Sequence, residues 1–340
     1  MNGFYLVLFV ALASFVLTAA LRKYALAKSL IDVPNARSSH SVPTPRGGGL
    51  AIVVSLLVGL VVVIAAGGLA WREGVALIGA GGLVAVVGFL DDHGHIAARW
   101  RLLAHFAAAL WALAWLGGAP LLEVFGEQVD LGWVGWVLVA VYFVWVLNLY
   151  NFMDGIDGIA SVEAICVCLG GALLYALAGR GELALVPLML AAGVGGFLCW
   201  NFPPARIFMG DAGSGFLGIV LGILSVQAGW VQPSLFWGWV ILLGVFVVDA
   251  TFTLVRRLMR GDKAYEAHRS HAYQYASRQV GSHLPVTLTV GAINVAWLLP
   301  IALLVGTGWV DGVVGLVVAY APLVVLAVKF HAGELEVRKA

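Results

Sequence analysis

Apolar runs of about 20 residues recur along the whole chain, and they restrict its fold more than any other feature of the sequence. An α-helix of that length crosses the hydrocarbon core of a bilayer, because each residue adds about 1.5 Å. The chain is 62% hydrophobic and 11% charged, whereas soluble domains carry about 25% charged residues. The sequence therefore predicts an all-α, polytopic integral membrane protein.

The apolar pattern predicts eleven transmembrane helices in a single domain that covers residues 1–340. The first helix lacks a basic start and a small-residue cleavage site, which indicates a retained helix rather than a signal peptide. The predicted helices cover residues 3–21, 48–67, 74–90, 101–117, 132–148, 158–178, 183–200, 214–229, 236–256, 285–305 and 309–328.

The basic residues fall on one set of alternate loops. Of nineteen Lys and Arg residues, seventeen lie in these loops and the C-terminal tail, and only Arg72 and Arg180 lie in the other set. The positive-inside rule therefore predicts an outside N-terminus and a cytoplasmic C-terminus. An even number of helices would mix the two sets, so the charges independently favour eleven. The net charge of +1 gives no indication of a nucleic-acid partner.

Five cytoplasmic loops hold nearly all candidate functional residues, at 22–47, 91–101, 148–158, 201–214 and 257–284. In the third, Asp154 and Asp157 would share one helical face, and Asn148 and Asn151 repeat that spacing one turn earlier. A carboxylate at membrane depth costs roughly 2.5 to 3.5 kcal/mol on insertion scales, so it is rarely kept without a task. The spacing suits a metal or a ribose; the alternative is a polar loop between two helices.

The second loop begins with the adjacent carboxylates Asp91 and Asp92. Such a pair repels itself unless a cation or proton intervenes, and negative charge suits a helix C-terminus badly. Mg²⁺, with Mn²⁺ as an alternative, would relieve both effects, because it takes one or two carboxylates together with phosphate oxygens. In another interpretation, one Asp is a base near a phosphate acceptor. Arg99 and Arg101 either clamp phosphate or are interfacial charges.

The first and fourth loops combine glycines with charged residues. Arg46 precedes three glycines whose N–H groups could bind phosphate, or it is simply a positive-inside anchor. In the fourth loop, Asp211 begins a helix either as a ligand or as an N-cap. Phe208 offers a stacking surface for a base, and Asn201 offers a hydrogen-bonding partner.

The fifth loop contains two histidines, His268 and His271, separated by Arg269 and Ser270. Their spacing resembles that of zinc ligands, but no third ligand is nearby in the sequence, so we interpret them as donors to a sugar diphosphate. The basic cluster before them could neutralise anionic lipid headgroups. Asp249, in the preceding helix, is expected to pair with a nearby Arg outside the site.

Taken in order, five motifs on the cytoplasmic side resemble the polyprenyl-phosphate N-acetylhexosamine-1-phosphate transferase family over nearly the whole chain. They are 44–49 (TPRGGG), 88–92 (GFLDD), 148–158 (NLYNFMDGIDG), 208–214 (FMGDAGS) and the loop around His268. Many relatives have adjacent histidines in that last loop, whereas here two residues intervene. The resemblance implies that Asp91 and Asp92 lie near the lipid phosphate and metal, Asp154 and Asp157 at the metal and nucleotide, and Asp211 on Mg²⁺.

The loops and the resemblance together predict three groups of site residues. The predicted catalytic residues are Asp91, Asp92, Asp154 and Asp157. The predicted metal ligands are Asp211, Asp92 and Asp154. The predicted substrate-binding residues are Arg46, Arg99, Arg101, Asn148, Asn151, Asn201, Phe208, His268, Arg269 and His271.

The reaction that the resemblance implies is transfer of an N-acetylated aminosugar-1-phosphate, of the FucNAc, QuiNAc or GlcNAc type, from a UDP-sugar to undecaprenyl phosphate. UMP would leave, and O-antigen, lipopolysaccharide or a related envelope glycan would begin at the bacterial inner membrane. A homodimer is one oligomeric state compatible with this interpretation.

Three alternatives stay open at this point. They are the phospho-N-acetylmuramoyl-pentapeptide transferase of peptidoglycan synthesis, a CDP-alcohol phosphotransferase, and a transporter or flippase. A transporter would place ionisable residues near the bilayer centre, whereas these acids cluster at helix ends on one side.

Overall fold

Long helices joined by short loops make up most of the protein, whose computed structural model describes residues 3–34, 39–40, 42–94, 96–263 and 268–335. A 3₁₀ turn (Gly181–Ala184) leads into α7, and a π-helical turn (Asn294–Leu298) joins α12 to α13. Two short antiparallel hairpins lie in loops: β1 (Ile31–Asp32) pairs with β2 (Thr44–Pro45), and β3 (Leu122–Val124) pairs with β4 (Glu127–Val129). The α-helices are α1 (Gly3–Ala27), α2 (Leu50–Ala65), α3 (Trp71–His93), α4 (Ala98–Leu116), α5 (Gly132–Met153), α6 (Ile159–Leu177), α7 (Leu185–Asn201), α8 (Asp211–Val231), α9 (Pro233–Leu242), α10 (Gly244–Met259), α11 (Ala272–Val280), α12 (His283–Ile293), α13 (Leu299–Gly306) and α14 (Gly312–Lys329).

The predicted segments lie largely within observed helix, although 236–256 and 285–305 are each divided, and the all-α polytopic membrane fold is confirmed. In the described part of the chain, eight helices are long and apolar enough to cross a membrane, and the bent pair α9–α10 is a ninth candidate. The other two predicted spans are α2, an apolar helix of 16 residues, and α4, whose first turn holds Arg99 and Arg101. Eleven spans and their orientation stay predictions.

The single helix predicted over residues 236–256 is wrong, because the chain bends by 70° between α9 and α10. The hydroxyl of Tyr320, on α14, donates to the Val240 carbonyl at 2.6 Å. That carbonyl would otherwise accept the N–H of Gly244 in a continuous helix. A Cβ at Gly244 would lie 2.9 Å from the Tyr320 ring, so only glycine allows this approach without rearrangement. A side chain inserted into the helical ladder is a recognised cause of a kink.

Helix α8 is the most deeply buried of the candidate spans, and its N-terminus is the point around which the site is built. A Cβ on Gly88 of α3 would lie 2.5 Å from the backbone nitrogen of Ala212, and one on Gly49 would lie 2.5 Å from the Cα of Gly213. These glycines therefore let the end of α3 and the start of α2 approach the first turn of α8 closely. The result is that residues from three separate loops share one small volume.

Candidate active site

Two cavities meet beside the N-terminus of α8. The first, of about 560 Å³, is a mainly apolar groove between α3, α4, α5 and α10, with Asp91, Arg101 and His105 on its walls. The second, of about 430 Å³, is mainly polar and contains Asp92, Asp154 and Asp157. Asn151 and Asp211 line both cavities. We call them the groove and the acidic cavity.

Asp92 caps helix α8 rather than facing solvent. Its Oδ1 accepts the backbone N–H of Asp211 at 3.2 Å, and its Oδ2 accepts that of Ala212 at 3.3 Å. A helix N-terminus leaves such N–H groups without partners and favours negative charge, so the contact stabilises α8. The guanidinium of Arg46 donates to the Asp92 carbonyl. Because both carboxylate oxygens are already hydrogen-bonded, the catalytic and ligand roles of Asp92 stay predictions, and its observed role is to position Asp211.

Asp91, Arg101 and Asp211 form a charged cluster where the two cavities meet. Arg101 Nη1 lies 2.6 Å from Asp91 Oδ2 and 3.6 Å from Asp211 Oδ2. The other Asp91 oxygen accepts the N–H of Ile96 at 2.8 Å. Asn151 Nδ2 donates to Asp211 Oδ1 at 3.0 Å and to the Ser214 hydroxyl at 3.0 Å. One guanidinium thus holds two carboxylates, and a carboxamide fixes the rotamer of Asp211.

Asp154 differs from the other acids because no hydrogen bond from a described residue reaches its carboxylate. Burial raises its pKa well above the ordinary value, and the neighbouring carboxylates of Asp211, Asp92 and Asp157 raise it further. A carboxylate kept without a donor beside other carboxylates is chemically suited to a hard divalent cation.

The acidic cavity therefore fits Mg²⁺ in its donor chemistry. Within the described residues, no group of three His, Cys, Asp or Glu side chains is already arranged as a complete ligand set. Mg²⁺ usually takes one or two protein carboxylates and completes its shell with water and phosphate oxygens. Asp154 and Asp211 are the two acids best suited to such a shell.

Asp157 holds the loops together beside the acidic cavity. Its Oδ1 lies 3.1 Å from His283 Nδ1, and its Oδ2 accepts the N–H of Ala205 at 3.0 Å. Burial alone would raise the pKa of Asp157, but these contacts lower it below its ordinary value. Asn201 acts similarly: its oxygen accepts the Gly158 N–H and its Nδ2 donates to the Ile207 carbonyl, both at 3.0 Å. Both side chains line the cavity while joining the third and fourth loops.

The first and fourth loops are joined by their backbones. Gly48 and Gly49 donate to the carbonyls of Phe208 and Met209 at 2.9 Å and 2.8 Å, and Phe208 donates to Pro45 at 2.8 Å. The expectation that three free glycine N–H groups bind phosphate is therefore wrong for Gly48 and Gly49, since their donors are used. Arg46 and Phe208 both line the acidic cavity, and their contact with substrate stays a prediction. The Phe208 ring packs edge-on against the His40 ring, with 4.8 Å between the ring centres.

Asp249 holds the histidine loop in place. From the sequence, we expected this residue to pair with an Arg. Instead its carboxylate accepts the backbone N–H groups of Ala272 and Tyr273, both at 3.0 Å, and lies 3.3 Å from His271 Nδ1. That expectation is wrong because the acid caps α11, a helix that the sequence did not predict. His271 lies 3% exposed, and its ring contacts that of His268 at 4.9 Å. Both rings line the groove.

The remaining predicted residues separate into those at the site and those beside it. Asn148 lines the groove. Arg99 is exposed and packs over the ring of Trp100. Arg269 lines neither cavity; its carbonyl accepts a hydrogen bond from Arg278. Their roles in substrate binding stay predictions.

Three histidines at the site were missed by sequence reasoning: His40, His105 and His283. Only His105 had a usable signal. It follows Arg101 by four residues, so a helix places both on one face.

The chain is similar to known proteins over most of its length. Residues 74–229 match glycosyl transferase family 4. The probable undecaprenyl-phosphate N-acetylglucosaminyl 1-phosphate transferase of Bacillus subtilis is 31% identical over 77% of this chain and 75% of the relative. The undecaprenyl-phosphate alpha-N-acetylglucosaminyl 1-phosphate transferase of Thermotoga maritima is 28% identical over 80% and 81% of the two chains. The phospho-N-acetylmuramoyl-pentapeptide-transferase of Moorella thermoacetica is 34% identical over 54% of this chain and 61% of the relative.

Proposed function

Because this chain belongs to the polyprenyl-phosphate N-acetylhexosamine-1-phosphate transferases of glycosyl transferase family 4, we propose that it transfers an N-acetylated aminosugar-1-phosphate from a UDP-sugar to undecaprenyl phosphate. The donor is of the GlcNAc, FucNAc or QuiNAc type, and UMP is released. The product begins O-antigen, lipopolysaccharide or a related envelope glycan at the cytoplasmic face of a bacterial inner membrane. The GlcNAc-specific names of the relatives support the first of these sugars.

The meeting of the two cavities at Asp211 and Asn151 is the observation that carries this proposal. An apolar groove suits a polyprenyl chain, which must stay in the hydrocarbon region while its phosphate reaches the polar surface. A polar cavity suits a nucleotide sugar that arrives from water. A transferase needs both substrates to contact each other at one point, and these cavities share one wall.

On the acceptor side, Arg101 and His105 are suited to hold the lipid phosphate. Asn148 Nδ2 donates to the Val144 carbonyl at 2.7 Å, which fixes the orientation of its amide, and lies 3.4 Å from His105 Nδ1. His105 Nδ1 is then the acceptor, so the ring proton is on Nε2 and is available to a phosphate oxygen in the groove. Arg101 adds a charged donor one helical turn away.

On the donor side, Asp154 and Asp211 would hold Mg²⁺ together with the diphosphate of the nucleotide sugar. The cation would supply neutralisation of the phosphate charge. A lipid-phosphate oxygen then attacks the phosphorus that carries the sugar, the bond from that phosphorus to the bridging oxygen breaks, and UMP leaves with the electron pair. Asp91 and Asp92 each have both carboxylate oxygens hydrogen-bonded, which supports direct attack rather than attack by either carboxylate.

The proposal is tested by measuring UMP release from the purified protein with undecaprenyl phosphate, Mg²⁺ and a panel of UDP-sugars. We expect release with at least one UDP-N-acetyl-aminosugar, dependent on both the lipid and the cation. Release with UDP-N-acetylmuramoyl-pentapeptide alone would assign the peptidoglycan reaction instead. If no member of the panel released UMP and the protein moved lipid-linked sugar across vesicle membranes, the protein would be a flippase and not a transferase.

Replacing His105 by Ala is expected to raise the KM for undecaprenyl phosphate about tenfold and to change kcat little. The reason is that one charge-assisted hydrogen bond to phosphate contributes roughly 1.5–3 kcal/mol to binding. The matched control is His93→Ala, because His93 lies on α3 outside both cavities, and its ring nitrogen contacts the Phe89 carbonyl of the same helix. An unchanged KM for the lipid, or an equal rise in the KM for the UDP-sugar, would show that His105 does not bind the lipid phosphate.

A further inference from the structure

Glu163 is a fully buried acid that the proposed reaction does not use. It lies in α6, is 0% exposed, and lines neither the groove nor the acidic cavity. Its Oε2 accepts Nδ2 of Asn294 at 2.6 Å. Asn294 is 1% exposed and begins the π-helical turn between α12 and α13. Such turns inside α-helices occur frequently at functional positions.

The other oxygen of each side chain in this pair has no partner. Within the described residues, Glu163 Oε1 and Asn294 Oδ1 are both buried without a hydrogen bond. The amide cannot be turned over to solve this, because Asn294 Nδ2 also donates to the Val290 carbonyl at 3.1 Å. With an ionised Glu163, two buried acceptors would therefore remain unsatisfied, which is unfavourable.

We propose that Glu163 is a protonated carboxylic acid that pairs with Asn294 through two hydrogen bonds. The amide N–H donates to Oε2, and the acid O–H on Oε1 donates to Oδ1, so one proton satisfies both orphaned oxygens. Among the described residues, the titratable groups whose electrostatics respond to Glu163 are Tyr150, Cys166 and Tyr320. None of them is a cation, and no described basic residue forms an ion pair with the acid. A neutral pair is accordingly the form that burial at membrane depth favours.

The pair also joins α6 to the end of α12. Asn294 directly follows α12, and the first residue of that helix, His283, lies 3.1 Å from Asp157 Oδ1 at the acidic cavity. Thr287, also on α12, donates to the Asp157 carbonyl at 2.8 Å. Glu163 is therefore a positioning residue: it holds α12 against α6, and through α12 the loop that carries Asp157. Only the effect of this contact on catalysis rests on the proposed function.

The protonation state is tested by infrared difference spectroscopy of the purified protein, comparing wild type with Glu163→Gln. We expect the wild type to show a carbonyl stretch of a protonated carboxylic acid at neutral pH that shifts in D₂O and is absent from the variant. Glu182→Gln is the control, because Glu182 is an exposed partner of Arg180 and should lose carboxylate bands only. Loss of carboxylate bands alone in Glu163→Gln would overturn the proposal.

The positioning role is tested by hydrogen exchange of the backbone over α12 (residues 283–293) and the π-helical turn (residues 294–298). Glu163→Gln keeps an amide–amide pair of the same shape, so we expect exchange within about twofold of wild type. Glu163→Ala removes both hydrogen bonds, and exchange in these segments should rise about tenfold or more. Similar exchange in the Ala variant and wild type, or faster exchange in the Gln variant, would overturn the role.

Transfer assays separate this inference from the function itself. If the protein is the proposed transferase, Glu163→Gln should keep near-normal kcat, while Glu163→Ala should lower kcat about tenfold with little change in the KM for undecaprenyl phosphate, because Asp157 lines the acidic cavity and not the groove. Should the wild type release no UMP, the proposed function fails, while the infrared and exchange results still decide the state and the positioning role of Glu163. Should Glu163→Gln lower kcat as far as Glu163→Ala, the neutral pair is wrong.

Discussion

The Asp211→Asn variant is expected to lose sugar-phosphate transfer by at least about 10²–10³-fold while remaining folded. Asp211 lies where the groove meets the acidic cavity, so its carboxylate borders both of the proposed substrate sites. An Asn at this position keeps a side-chain oxygen that can accept the hydrogen bond from Asn151 Nδ2, which is 3.0 Å long in the wild type. Arg101 keeps its shorter contact with Asp91 at 2.6 Å. The substitution thus removes the negative charge that would bind the cation and changes the other contacts of residue 211 little.

The measurement is the initial rate of UMP release at saturating substrates, with elution volume and thermal unfolding as checks on the fold. Asp311→Asn is the matched control, because Asp311 caps the start of α14 through the N–H groups of Val313 and Val314 and an Asn preserves that contact. Transfer within about threefold of wild type would show that Asp211 is not a ligand. A loss that parallels unfolding would make it a structural residue.

The sequence predicts the membrane fold and the clustering of the acids well, because both follow from local patterns. Apolar length locates most of the helices, although it misses α11 and the breaks within 236–256 and 285–305. Charge bias predicts that Asp91, Asp154 and Asp211 lie on one side before any contact is known. The structure brings these three acids to the two adjoining cavities. Nothing in the pattern, however, indicates which helix end meets which loop.

Asp91 and Asp92 illustrate that limit. Neighbouring residues on a helix point about 100° apart, so Asp91 reaches Arg101 while Asp92 reaches the start of α8. In the sequence the two carboxylates are equivalent. In the structure Asp91 lines the groove, whereas Asp92 caps α8. Distant partners explain the other errors too: the bend of α9–α10 depends on Tyr320, eighty residues further along, and the histidine loop depends on Asp249.

Replacement of Asp by Asn should change the unfolding temperature in opposite directions at Asp154 and at Asp92. Asp154 is a carboxylate without a described donor beside three other acids, so its charge opposes folding. Its raised pKa means that this cost is absent at low pH, appears as pH rises above the ordinary carboxyl range, and grows until the folded-state pKa is reached. Asp92 instead accepts two backbone N–H groups at the start of α8, so replacing its carboxylate disrupts a helix cap.

We therefore expect Asp154→Asn to lose transfer by about 10²-fold or more yet to unfold a few degrees higher than wild type at neutral pH without Mg²⁺. Asp92→Asn should unfold at a lower temperature, because its amide N–H₂ faces a helix N–H and a lost cap costs about 1–2 kcal/mol. Thermal unfolding of both variants, with and without Mg²⁺, tests the pair. Mg²⁺ should stabilise wild type and Asp92→Asn more than Asp154→Asn, since a ligand stabilises only the state that binds it. Equal stabilisation of all three would place the cation away from Asp154, and a lower unfolding temperature for Asp154→Asn would mean that its carboxylate stabilises the fold.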